Sequence, residues 1–220
     1  MEYLTRQDYE YLLGAYLGDG NKYNNFGIRY TVSHKDSDYA DVLMELLKPH
    51  NPISKIEKSD KYTVFRIVCG WEKTPLNQWF HPYMEDGFWN LPEIRYPGHF
   101  LAGLYDTDGS ARKRKNFKTA THEIVLYSTH RENLELLLDL HAQVDLYPTL
   151  ARHDKKMWIL RITHWTQTKI FEKNVPLRHP RKRAIVATAG DRVKFFQPVD
   201  DIVWPRVKAR ESGRNDQAAA

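Results

Sequence analysis

Two related nonapeptides, Leu12–Gly20 (LLGAYLGDG) and Leu101–Gly109 (LAGLYDTDG), stand 89 residues apart in this 220-residue chain. Beyond them, Phe65-Arg66-Ile67-Val68 lines up with Leu160-Arg161-Ile162-Thr163 at an offset of 95. The same offset places Tyr39, Val42, Leu43, Leu46 and Leu47 on Leu134, Leu137, Leu138, His141 and Ala142. That i, i+3, i+4, i+7, i+8 spacing is the apolar stripe of a helix lying on a core. A repeat on this scale requires two copies of one supersecondary unit.

Strand signals fill in the unit. Gly27–His34 and His122–Thr129 alternate and are rich in β-branched residues, and the offset sets Ser33 on Ser128. Ile53–Lys58, Tyr62–Cys69, Tyr147–His153 and Lys156–His164 read as further strands joined by short polar turns. Glu72–Glu85 and Thr166–Val175 read as closing helices. Each half is therefore helix, strand pair, helix, strand pair, helix, which makes the fold class α+β. The offset grows by six residues between nonapeptide and strands, and these fall in Ser110–Lys118 (SARKRKNFK). That stretch is expected to be an insertion in the first hairpin of the second half.

Alternation assigns faces. Ile28, Tyr30 and Val32 should meet the helices, leaving Arg29, Thr31 and Ser33 on the other side. Phe65 and Ile67 should face the core and Arg66 away from it. By the repeat, Ile124, Leu126 and Ser128 take the places of Arg29, Thr31 and Ser33. Charge then points to a partner: residues 1–98 hold 11 basic and 14 acidic side chains, whereas the remainder holds 22 and 14. The excess gathers in Ser110–Lys118, Arg178–Arg183 and Arg206–Arg214. Cations interleaved with Phe117, His179 and Trp204 suggest a polyanion, nucleic acid before membrane.

A hydrophobic share of 41% exceeds what a disordered chain carries, and no apolar run is long enough to span a bilayer. The N-terminus shows no signal or transit pattern, and the single Cys69 excludes a disulfide framework or a cysteine zinc ribbon. An intracellular protein is expected, cytoplasmic in a prokaryote.

Each nonapeptide should end a helix, with Gly20 and Gly109 as left-handed caps. On the preceding turns Tyr11, Gly14, Ala15 and Gly18 share a face, as do Phe100, Gly103, Leu104 and Thr107. Small residues four apart let helix backbones approach, so Gly14, Gly18, Gly103 and Thr107 are expected at an interface of the halves. Asp19 and Asp108 then lie at helix C-termini, where the macrodipole is negative, and beside each other, where like charges repel. A hard divalent cation relieves both costs.

These motifs resemble those of the LAGLIDADG homing endonucleases in their single-chain, two-motif form. LAGLYDTDG agrees with the name motif at seven of nine positions and LLGAYLGDG at four, and the resemblance spans about residues 5–190. It implies αββαββα units at 1–95 and 96–190, followed by an extension at 191–220. The antiparallel sheets would form a saddle on DNA, with the motif helices at the centre. It further implies Mg²⁺-dependent hydrolysis of both strands, with Mn²⁺ able to substitute. Asp19 and Asp108 are then the catalytic metal ligands, joined at the metal by Gly18 and Thr107. Leu17 stands where the family often has an acid.

Matching strand ends and the Leu177–Lys182 segment, which echoes Ile94–His99, points to Lys35 and Lys182 as further catalytic groups. His34, His99, Thr129 and His130 are pocket candidates, although Thr129-His130-Arg131-Glu132 also fits a helix capping box. The DNA-binding set comprises Arg29, Thr31, Ser33, His34, Arg66, Arg112, Lys113, Arg114, Lys115, Lys118, Ser128 and Arg161. Double-stranded DNA is the expected partner, with a monomer and no membrane. The alternative is an RNA-binding splicing maturase or a non-cleaving DNA-binding protein on the same scaffold.

Overall fold

The computed structural model describes residues 4–23, 27–58, 63–69, 80–113 and 122–188. Arg114, Lys115, Lys118, most of the helix expected at Glu72–Glu85 and the extension from 191 lie outside them. The first half runs α1 (Arg6–Asp19), β1 (Gly20–Tyr23), β2 (Gly27–Ser33), α2 (Ser37–Leu47), β3 (Ile53–Lys58) and β4 (Thr63–Cys69). A two-stranded hairpin, β5 (Met84–Glu85) and β6 (Phe88–Trp89), follows. The second half repeats the order with α3 (Pro97–Thr107), β7 (Gly109–Lys113), β8 (His122–Ser128), α4 (Arg131–Ala142), β9 (Thr149–Arg152) and β10 (Trp158–Ile162). It closes with α5 (Trp165–Asn174) and α6 (Pro180–Ala187). Each half has a four-stranded antiparallel sheet, ordered β1-β2-β4-β3 and β7-β8-β10-β9.

Helix α1 starts where Thr5 Oγ1 accepts the Asp8 N–H at 3.1 Å, and α3 starts with Pro97 in its first turn. Both are buried on almost every side: from Glu10 to Leu17 no residue of α1 reaches solvent appreciably. One side meets its sheet and the other meets the second motif helix. A Cβ on Gly14 would lie 2.1 Å from the Phe100 carbonyl oxygen, and one on Gly18 2.2 Å from Thr107 Oγ1. Gly103 presses on Tyr11 and Ala15 in the same way. Gly14, Gly18, Gly103 and Thr107 all lie along this line of close approach. Around it Tyr11, Leu12, Ile28, Leu43, Ile67, Phe100, Leu104, Leu126, Leu134 and Leu160 make one continuous core.

Several expectations are corrected. Gly20 is extended (φ −81°, ψ 156°), and among the described glycines only Gly87 has positive φ. Glycine is instead required at 20 and 109 by space, since a Cβ would lie 2.5 Å from the Tyr16 carbonyl oxygen and 2.6 Å from that of Tyr105. The second-half register also differs. Gly20 pairs with Tyr30, ten residues on, while Gly109 pairs with Leu126, seventeen on. The hairpin is therefore seven residues longer, not six, and an odd slip exchanges the faces of a strand. Ile124 and Leu126 are accordingly core residues, 2% and 0% exposed. The open face carries Ser110, Arg112, Glu123, Val125, Tyr127 and Arg161 in their place.

Ser128 leaves the DNA-facing set for the same reason, and its Oγ accepts the His130 N–H at 3.1 Å. No capping box forms at Thr129: the N-cap of α4 is His130, without a side-chain hydrogen bond. Ala142 is exposed, while Asn133 is buried on α4. Finally, Met84–Glu85 is strand rather than helix. Asp86 (φ 49°) and Gly87 (φ 84°) make the tight turn that an Asp-Gly pair favours. Asn133 clamps this hairpin to the second half, donating from Nδ2 to the Gly87 carbonyl at 2.8 Å and accepting from the Trp89 N–H at 3.0 Å.

Candidate functional site

Where the motif helices end together, Asp19 and Asp108 emerge side by side. A Cβ on Gly18 would stand 3.3 Å from Asp108 Cβ. Both carboxylates keep an accessible face. Protein nevertheless crowds them, and loss of water pushes each up to about 6; the Asp108 charge raises Asp19 further, and Lys182 opposes both shifts. Among the described residues neither carboxylate has an ion-pair partner.

Asp19 opens onto a cavity of about 300 Å³ between the two halves. The first half lines it with Thr31, Ser33, Asp36 and Tyr39, the second with Asp106, Thr107, Ser110, His179, Arg181 and Lys182. Asp106, sixth in the second nonapeptide, is 1% exposed. Its Oδ2 accepts the Tyr11 hydroxyl at 2.7 Å and the N–H groups of Arg178 and His179 at 2.6 and 3.0 Å. It thereby caps α6, as buried Glu10 caps α3 by accepting from Arg95 and Tyr96 at 3.0 and 2.6 Å. This explains the echo of Ile94–His99 in Leu177–Lys182: both segments begin a helix with proline. Burial raises Asp106 to about 6 against those hydrogen bonds.

Lys182 does not project freely into the cavity. Its Nζ donates to the carbonyls of Tyr105 (2.9 Å), Asp106 (2.8 Å), Thr107 (3.3 Å) and Gly109 (2.7 Å). A cation at the C-terminus of α3 satisfies carbonyls the helix leaves open and opposes its dipole. Burial lowers the lysine to about 8, the facing Asp106 acting against it. The Thr107 hydroxyl turns back to the Gly103 carbonyl at 3.0 Å. Helix α6 also reaches the first half. Arg181 forks onto Asp36, with Nε 2.9 Å from Oδ1 and Nη2 donating to Oδ2 at 3.1 Å. His179 stacks on Tyr39 at 4.7 Å, and burial holds it neutral, down to about 4.

Lys35 and His34 are exposed in the 3-10 turn His34–Asp36, away from the cavity lining, and His34 stacks on Phe65. His99 lies near Asp8 and Arg178, and His130 packs on Phe88 at 4.2 Å; neither lines the cavity.

On the open sheet faces the expected basic residues are held by neighbours. Arg29 Nε donates to Asn21 Oδ1 at 2.8 Å, and Arg66 forks onto Glu57 across β4 and β3, donating through Nε and, at 2.8 Å, through Nη2. Arg112 donates through Nε to Glu123 Oε2 at 2.6 Å, and Arg161 Nε lies 3.2 Å from Glu123 Oε1. Lys113 is exposed at the end of β7. Asp36, Asp106, Glu57 and Glu123 escape sequence reasoning, because nothing in a local pattern shows which donors the fold brings against each acid.

Residues 96–176, within the second half, match the family model described as a LAGLIDADG-like domain. Among curated proteins none matches the chain in sequence. The homing endonuclease I-WcaI bound to its DNA recognition sequence superposes with a TM-score of 0.62 at 17% identity, over 84% of this chain and 88% of that one. I-DmoI in complex with DNA and Ca gives 0.58 at 19%, over 84% and 99%. Full-length DUF199/WhiA from Thermatoga maritima gives 0.58 at 15%, over 91% of this chain and 65% of that one. At these identities the likeness is one of fold. The chain therefore carries a LAGLIDADG-like domain and folds, through both of its motif helices, as the LAGLIDADG homing endonucleases do.

Proposed function

We propose that this chain is a site-specific DNA endonuclease acting inside the cell as a monomer, with halves at 1–95 and 96–190 on a partly asymmetric site. The observation that carries the reading is the pair Asp19 and Asp108, crowded together at the ends of close-packed helices with no ion-pair partner among the described residues. That donor set fits a hard divalent cation. No group of three or more His, Cys, Asp or Glu converges among the described residues. Mg²⁺ suits such a site, since it binds one or two carboxylates together with substrate phosphates and water. Asp19 and Asp108 would hold it, beside the backbone at Gly18 and Thr107. Bound there, it supplies charge to the scissile phosphate and acidifies water.

The protein's own groups do the positioning. The two open sheet faces present Arg29, Thr31, Arg66, Arg112 and Arg161 to the duplex, and Lys182 stiffens the helix end that carries Asp108. DNA charge supplies most of the affinity of such a surface. Mn²⁺ should substitute for Mg²⁺, and I-DmoI has been solved with DNA and Mn. One observation favours a non-cleaving binder instead: the lysine lining the cavity is spent on four carbonyls. Duplexes bearing candidate intron-insertion sites, incubated with Mg²⁺ or with EDTA, separate the readings. A metal-dependent double-strand break is expected. Tight, selective binding with no break in Mg²⁺ or Mn²⁺ would establish the binder.

A further inference from the structure

Glu123 is a carboxylate in an unexpected place. It sits near the start of β8, a central strand, on the second sheet's open face, where an anionic partner would lie, yet its side chain is only 3% exposed. Two arginines bury it. Arg112, its direct cross-strand partner on β7, puts Nε 2.6 Å and Nη2 2.5 Å from Oε2. Arg161, opposite Val125 on β10, brings Nε to 3.2 Å from Oε1. The arginine side chains remain 63% and 40% exposed.

We infer that Glu123 is a positioning residue that sets base specificity, aiming Arg112, and with it Arg161, at guanine edges of the DNA half-site over the second sheet. The inference rests on the DNA-binding reading above. A lone carboxylate on a DNA-facing sheet weakens phosphate binding, so its benefit must lie elsewhere than in affinity. Arginine has five N–H donors in a rigid fork. Glu123 engages the edge of Arg112 formed by Nε and Nη2, leaving three N–H groups at the Nη end facing solvent. Guanine offers O6 and N7 in the major groove as a matching pair of acceptors. Fixing the guanidinium plane before DNA arrives removes the ordering cost of a long, flexible side chain. On the first sheet Arg66 also forks onto an acid, but there Glu57 lies diagonally on the edge strand and is 44% exposed while Arg66 is 23% exposed, so the buried-acid arrangement belongs to the second half.

The test is selection from a randomised duplex library, followed by titration of the selected and of a scrambled duplex, with wild type, Glu123→Gln and Arg112→Lys. Glutamine keeps the shape and removes the charge that holds the Arg112 fork and draws Arg161 to it; lysine keeps the charge of Arg112 and removes its fork. Wild type should enrich guanine at one or two positions of one half-site. Both variants should lose that preference by roughly tenfold. Glu123→Gln should also bind scrambled DNA as tightly as wild type or tighter, since an acid has left the surface. If Glu123→Gln weakens selected and scrambled duplexes equally and keeps the guanine preference, Glu123 is a structural residue and the inference fails. If Glu123→Gln fails to fold, Arg112→Lys alone decides: an unchanged guanine preference overturns the inference. Should wild type select no sequence, the DNA reading itself falls.

Discussion

Gly103 faces Tyr11 across the helix seam so closely that a Cβ on it would lie 2.0 Å from the Tyr11 carbonyl oxygen and 2.7 Å from the Ala15 nitrogen. These are backbone atoms on both sides, so nothing can turn aside. Gly103→Ala should therefore force the helices apart and cost about 3 kcal/mol or more of stability. Gly18→Ala meets the Thr107 hydroxyl, a side-chain atom that can rotate away, and should cost about 1 kcal/mol. Urea unfolding of the two variants checks the order. Equal costs would show that the seam is looser than it stands here.

Asp19→Asn or Asp108→Asn should nearly abolish double-strand cleavage while specific DNA binding survives, because in the proposed function the sheets, not these carboxylates, hold the duplex. Cleavage assays and titration of one target duplex report both. Near-wild-type cleavage by either variant removes these carboxylates from the chemistry.

The same carboxylates predict a pH signature without any substrate. Asp19 and Asp108 titrate in the fold near 6, above the ordinary 3.8. A raised carboxylate contributes stability that is present below the unfolded value and lost as pH rises through the folded one. Wild type should accordingly lose stability from about pH 4 to 7 relative to the double Asn variant. Buried His141 and His179, both held down to about 4, lose stability in the opposite direction over the same window. Only the difference between variant and wild type is therefore diagnostic. Stabilisation by added Mg²⁺ or Mn²⁺ should grow with pH across that window in wild type and vanish in the variant. Thermal unfolding at stepped pH tests both.

Lys182→Met should destabilise the protein by about 2–4 kcal/mol, leaving four α3 and β7 carbonyls without their shared donor. Cleavage should fall in step with disorder at the helix end, visible as faster amide exchange at Thr107–Gly109. Loss of cleavage with exchange unchanged would instead make Lys182 a group acting on the substrate.

Replacing Arg112, Lys113, Arg114, Lys115 and Lys118 by alanine should flatten the log-affinity against log-salt slope by about two to four units. The share of Arg112 should be small, because Glu123 already balances it. Salt titrations of wild type and variant measure this; an unchanged slope takes the hairpin off the DNA-binding surface.

The architecture was legible because a repeat doubles every signal. The stripe from Tyr39 to Leu47 and the alternation of Gly27–Ser33 each recur, and both sheets follow from them. Register in the second half was not legible. An insertion of unknown exact length separates Gly109 from its partner, and a strand's period of two turns a one-residue error into an exchange of faces. Asp19 and Asp108 could be singled out from their place in the motifs. Asp36 and Asp106 could not, because what defines them is contact with α6 and with the segment that leads into it, 145 and 72 residues further along. Lys182 was found by an echo whose physical meaning is proline-started helices rather than equivalent sites.

Because α6 grows from the second half yet fastens Arg181 onto Asp36 of the first, the halves are not interchangeable modules. A protein made by duplicating the first half would keep its motif seam but leave Asp36 buried with no guanidinium. One made by duplicating the second would hold two Arg181 forks and no acid to receive them. Stranding one partner of such a pair costs on the order of 3 kcal/mol, less where the pair is as open to water as Arg181. A stable symmetric protein built from this chain would have to carry the acid of one parent and the clasp of the other in every subunit.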